Sequence, residues 1–118
     1  MSSASSVYEM LTPRNQLRLQ ELGERFRLAR QRRQWTQKDL AAKAGISEGT
    51  LKKVEAGNPR VPLGFWLQLM DIFAMADEIE QWVLPENDRL GAAMDDRPLR
   101  QRVRRSRTAP IEFDLGDD

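Results

Sequence analysis

TQKDLAAKAGISEGTLKKVEAGN, residues Thr36 to Asn58, reads as two short helices joined by a tight turn. Leu40, Ala41 and Ala44 recur at helical spacing and line the inner face of the first helix. Leu51 and Val54, three apart, do the same for the second. Gly45 stands where the chain must turn sharply, and glycine enters the left-handed backbone region without a Cβ penalty. Ser47 follows as the cap of the second helix. Thr36 caps the first, with Asp39 reaching back in a capping box. Ala41 is small, so the second helix can cross close above the first. Each feature alone is common; all of them in this order are not.

Working outward, Thr12-Pro13 is an N-cap followed by proline at the first helical position. A helix is predicted from there to Gln34, with Leu22, Phe26 and Ala29 on one face. Gly23 lies inside it and counts against it. Trp35 ends this helix and plugs the core. After the central pair, Asn58-Pro59-Arg60-Val61-Pro62 is a loop on composition. Leu63 to Ala74 forms another helix with an apolar stripe of Leu63, Trp66, Leu67, Met70 and Phe73, widened by Leu69 and Ile72. Pro62 precedes it without a capping side chain, so a backbone or water cap must substitute. Asp77 to Leu84 is the fifth helix, capped by Asp77 with Glu80 three residues on, and stopped by Pro85. A short sixth is predicted around Leu90–Met94. The fold class is therefore all-α: a five-helix domain over residues 13–84. A flexible, Ser-rich segment, 1–12, precedes it, and a linker with an Arg-rich then acidic tail, 85–118, follows.

The chain has 118 residues, 19 basic and 18 acidic, so the total charge hides an uneven distribution. Pro13 to Arg60 holds 12 Lys/Arg against 5 Asp/Glu. Asp71 to Asp96 holds one Arg against 8 acids, and Arg97 to Arg107 six Arg and no acid. A basic helical region suits phosphate contacts. There is no cysteine and no histidine. That removes disulfides, thiol nucleophiles, cysteine zinc sites and the usual general base near neutral pH. With no glycine-rich phosphate loop either, no catalytic residue, metal ligand or cofactor is expected. Residues 1–10, MSSASSVYEM, lack a long apolar run with a basic flank, so no signal peptide is expected. Nor does any segment approach membrane-spanning length. A cytoplasmic location is the expectation.

The central pair follows the plan of a helix-turn-helix. From about Leu22 to Leu84 the chain resembles the Cro/phage-repressor type, the Xre family, with the pattern TQ-x-x-LA-x-x-xG-(I/V)-S-x-x-x-(L/I)-x-x-(V/I)E-x-G. The resemblance implies a lambda-repressor-like fold and DNA binding. It places base readers at Glu48, Gly49 and Lys53, and a phosphate contact at Gln37. It also implies that Arg30 and Glu55 form a structural ion pair rather than DNA contacts.

An α-helix fits the major groove of B-DNA. Lys53 can donate to guanine O6 and N7, Glu48 can accept from cytosine N4, and Thr50 can bond a phosphate or touch a thymine methyl. Lys52 shares their solvent-facing side. Gly49 has no side chain and reads nothing. Two roles stand open for Glu48: a base contact, or stabilisation of the positive helix start. Gln37 reaches a phosphate or is a plain exposed helix residue. Arg32, Arg33, Lys38, Lys43 and Arg60 are weaker phosphate candidates, of which on the order of half would make contact, and Asn58 could offer its amide. Trp66 is assigned to the core and Trp82 to a dimer interface. A homodimer would set two recognition helices roughly 34 Å apart on a palindromic operator.

Arg100, Arg102, Arg104, Arg105 and Arg107 follow Arg97 closely. They read as a solvated tail adding non-specific DNA affinity, an arm in a DNA groove, or a segment that folds onto an acidic protein partner. Ile111, Phe113 and Leu115 alternate with acids, as in a strand that pairs only with a partner. The order of Xre-like domain, L-P-E-N-D-R-L-G linker and Arg-rich segment resembles the HipB-like antitoxins encoded beside HipA-type kinase toxins. That resemblance implies a dimer that represses its own promoter and binds the toxin. The alternatives are a phage-type or stand-alone repressor, and a protein-binding adaptor that has lost operator reading.

Overall fold

The structure, a computed structural model, describes residue 7 and residues 9–97. The described residues include the α-helices α1 (Pro13–Arg32), α2 (Gln37–Ala44), α3 (Glu48–Glu55), α4 (Leu63–Ile72) and α5 (Arg89–Met94). Two 3-10 helices, Ala76–Gln81 and Pro85–Asn87, lie between α4 and α5. Among the described residues every regular element is helical, so the fold class is all-α. The chain divides into two compact units, 1–78 and 79–118.

The boundaries follow from side chains that satisfy helix-end amides. Thr12 caps α1 by accepting from the Asn15 N–H at 3.1 Å, with Pro13 at the first position. Thr36 accepts from the Asp39 N–H at 3.0 Å, and Asp39 accepts from the Thr36 N–H at 2.9 Å. This is the expected capping box. Gly45 closes α2 in the left-handed conformation, φ 71°. Ser47 caps α3 through the Thr50 N–H at 3.0 Å. Pro62 offers no side-chain cap to α4; its carbonyl accepts from the Phe65 N–H at 3.1 Å instead.

The Asp39 cap carries a pH signature. Hydrogen bonds from the Thr36 backbone and side chain hold its carboxyl below its ordinary value of 3.8. A depressed folded value means the contribution is present above the unfolded value and lost as pH falls through the folded one. Comparing melting of the wild type and Asp39→Ala should give a constant gap at neutral pH. The gap should close only in acid, below the ordinary carboxylate value.

The core of the first unit is Phe26, Leu40, Ala41, Ala44, Leu51, Val54, Trp66, Leu69, Met70 and Phe73. Phe26 sits at its centre, edge-on to Trp66 (centroids 5.1 Å apart) and to Phe73 (5.8 Å). Leu22, Ala29 and Trp35 pack against it half-buried, so Trp35 covers the core rather than filling it. Gly23 of α1 is required where it stands. A Cβ there would lie 2.6 Å from the Val54 carbonyl oxygen and 2.7 Å from that of Glu55. Gly57, at φ 72°, makes the reciprocal approach to the Leu19 carbonyl. The glycine that counted against α1 in the sequence is the point where α1 crosses the end of α3.

Two expectations are corrected. Asp77 to Leu84 is not an α-helix: the 3-10 helix begins at Ala76, so Asp77 lies inside it. Asp77, Glu78 and Glu80 crowd like charges into a 3-10 helix of which no residue is buried, which is poor support for α-helix. On α4 the buried stripe is Trp66, Leu69, Met70 and Phe73, whereas Leu63 is 51% exposed. Leu69 is therefore central, and the excess apolar width of α4 faces outward. Within the segment 1–12, Val7, Glu9 and Met10 are helical, and the Leu11 N–H donates to the Val7 carbonyl.

Candidate nucleic-acid interface

Leu51, Val54 and Glu55 point α3 into the protein, so its other side chains face out. Glu48, Gly49, Lys52 and Lys53 are all exposed. Thr50 is half-buried: its Oγ1 accepts from the Ser47 hydroxyl at 2.9 Å, and its own hydroxyl hydrogen remains to donate. Lys52 and Lys53 fall in the last turn, where the helix dipole favours cations, and Glu48 in the first, where it favours anions. The helix thus offers an acidic start and a basic end on one outward surface. A Cβ at Gly49 would meet only Ser47 Oγ, at 3.9 Å, so nothing in the fold demands glycine there.

α2 places Gln37 at its first position and Lys38, exposed, at its second. Gln37 is half-buried, and its Nε2 donates to Glu55 Oε1 at 3.0 Å. On the far side of α3, Asn58 Oδ1 accepts from the Arg60 N–H at 2.8 Å, closing a turn. The amide nitrogen of Asn58 remains the group it can offer to a ligand. The Arg60 residue is exposed.

Behind this surface lies the ion pair. Arg30 Nε donates to Glu55 Oε2 at 2.7 Å and Nη2 donates to Oε1 at 3.1 Å, a bidentate pair. Nη1 donates to the Trp35 carbonyl at 3.0 Å. Both side chains are largely out of solvent, so loss of one partner would strand a charge and cost ~3 kcal/mol or more.

Arg33 is removed from the phosphate candidates. Its Nη2 donates to the Phe73 carbonyl at 3.1 Å, its Nη1 to the Ala29 carbonyl at 3.0 Å, and its guanidinium lies 5.0 Å from the Phe73 ring centroid. It closes the end of α4. Forty residues separate Arg33 from Phe73, so no local pattern announced this. Lys43 lies 4.8 Å over the Trp35 ring, a cation–π contact. Arg32 remains exposed.

Residues 21–82 match the family model described as a helix-turn-helix domain, more than half of the chain. The chain belongs to the helix-turn-helix domain family. This helix-turn-helix protein is a DNA-binding regulator by that membership. No curated protein and no solved structure matches it. Among the described residues no helix is long and apolar enough to cross a membrane, and no group of three or more His, Cys, Asp or Glu could hold a metal ion. In the second unit of the helix-turn-helix protein, Trp82 is 49% and Val83 92% exposed. Arg100, Arg102, Arg104, Arg105 and Arg107 lie outside the described residues, as do Ile111, Phe113 and Leu115.

Proposed function

We propose that the protein is a homodimeric transcriptional repressor that inserts α3 into the major groove of a palindromic operator and blocks a promoter by occupying it. The observation that carries this is the outward face of α3, where Glu48, Gly49, Lys52 and Lys53 are exposed while the opposite face is locked into the core. Lys53 donates to guanine, Glu48 accepts from cytosine, and the Thr50 hydroxyl bonds a phosphate. Gln37, Lys38, Lys52, Asn58 and Arg60 hold the backbone and fix register. Trp82 supplies apolar surface for the two-fold contact.

The finer assignment is the antitoxin of a HipA/HipB-type pair that autoregulates its operon in the cytoplasm. Its support is the order of domain, linker and arginine run. In this reading Arg100, Arg102, Arg104, Arg105 and Arg107 meet the kinase toxin, and toxin binding adjusts operator occupancy by mass action. A protein-binding adaptor is the rival reading, favoured by the side-chain-free position at Gly49.

A fluorescence-anisotropy titration against DNA from upstream of the gene tests the proposal, with a scrambled duplex as control and two salt concentrations. Tight, sequence-dependent binding at two protomers per site is expected. Equal, salt-sensitive binding to both duplexes would refute specific repression.

A further inference from the structure

Glu55 gathers donors from two other helices onto one carboxylate. Arg30 of α1 supplies Nε and Nη2 at 2.7 and 3.1 Å, and Gln37 of α2 supplies Nε2 at 3.0 Å. The residue is 8% exposed and is the one buried charged residue among those described. The ion pair alone accounts for Arg30. It does not account for Gln37, which is neutral and stands at the first position of the helix whose start faces outward.

The contact fixes more than distance. A carboxylate accepts hydrogen bonds and a side-chain amide carries both a donor and an acceptor end. Only the nitrogen of Gln37 can face Glu55; a flipped amide would set its carbonyl oxygen against the carboxylate. The amide nitrogen has two N–H groups, and Glu55 takes one. The second is left to donate elsewhere. A free glutamine side chain must be ordered when it binds, which costs rotamer entropy. A glutamine already tethered has lost that freedom on folding, so less is lost on binding.

We infer that Glu55 is a positioning residue for DNA binding, holding the Gln37 amide so that its second N–H is presented to a backbone phosphate. Arg30 in turn holds Glu55. The ion pair at the back of the domain and the phosphate contact at its front are then one hydrogen-bonded chain, Arg30–Glu55–Gln37–phosphate. This rests on the DNA-binding reading of Gln37 proposed above.

The test is a double-mutant cycle read by affinity for the upstream duplex. Gln37→Ala should weaken binding about tenfold, since hydrogen bonds to charged groups are the strong ones. The loss should be equal for all sequences and leave the salt dependence unchanged, because a neutral amide displaces no counterion. Arg30→Met combined with Glu55→Met removes the tether without stranding a charge. It should reproduce most of that loss although Gln37 is intact. Adding Gln37→Ala to this variant should then change affinity by less than about twofold. Wild-type affinity in the folded Met pair, or a full tenfold effect of Gln37→Ala within it, would overturn the inference.

The side-chain amide protons of Gln37 in the DNA-free wild type give a second measurement that needs no variant to fold. Slowed solvent exchange and a wide separation of the two proton shifts are expected. Values typical of an exposed glutamine would overturn the inference even if DNA binds. If the tethered signature is present but the wild type binds no duplex, the tether is structural only, and the inference falls with the DNA reading.

Discussion

Replacing Lys52 and Lys53 together by Glu should abolish DNA binding while leaving the fold in place. Both side chains are exposed, and neither forms an ion pair among the described residues. Reversal removes two cations from the surface that would meet the phosphates and puts two anions there. Each good base or phosphate contact is worth a factor of several to about a hundred, so the pair should cost at least about a hundredfold in affinity. The salt dependence of residual binding should flatten as well, because fewer counterions are released. Stability should change little. The substitutions place acids in the last turn of α3, against the helix dipole, at a cost of about 1 kcal/mol. Circular dichroism should therefore report a folded domain with a slightly lower melting temperature. Wild-type affinity in this variant would move the DNA-binding surface off α3.

Gly23→Ala should be strongly destabilising for a single methyl addition. The new Cβ would lie 2.6 Å from the Val54 oxygen, 2.7 Å from the Glu55 oxygen and 2.8 Å from the Gly57 nitrogen. All three are backbone atoms, so no side chain can swing aside; α1 and the end of α3 must separate. Overpacking of this kind costs about 1–3 kcal/mol, more where backbone must move. Alanine regains up to about 1 kcal/mol through helix propensity. A net loss of about 2 kcal/mol should lower the melting temperature by about 10 °C in a domain of this size. Gly49→Ala is the matched control. Its Cβ meets only Ser47 Oγ at 3.9 Å, so the propensity gain should appear alone, as a stabilisation of up to about 1 kcal/mol. Similar melting temperatures for the two variants would refute the close crossing at Gly23.

That contrast marks what could be read from sequence. The helix ends at Thr12, Thr36, Gly45 and Ser47 were legible because a cap acts within three or four residues, and its residue types are few. The inner face of the central pair was legible for the same reason: helical spacing names Leu40, Ala41, Ala44, Leu51 and Val54 without reference to the rest of the chain. Gly23 was not legible. Its necessity comes from a backbone more than thirty residues away, and locally a glycine in a helix reads as a weakness. Arg33 failed likewise, since its partner is the Phe73 carbonyl. The segment after α4 forms a 3-10 helix although capping residues, length and apolar content fit an α-helix, because none of its residues is buried against a neighbour.

The outward set on α3 was named by pattern and resemblance, and the structure leaves Glu48, Gly49, Lys52 and Lys53 exposed. The tie from Gln37 to Glu55 was hidden. Glutamine at a helix start invites an external partner, and nothing within a turn of it points to a carboxylate eighteen residues on.

We propose that α3 and the start of α2 form the DNA surface. It is tested most directly by following backbone amide resonances of the protein as the upstream duplex is added. The largest changes should cluster at residues 37–38 and 48–53 and at Asn58 and Arg60. Changes confined to residues outside that set, with α3 unmoved, would contradict it.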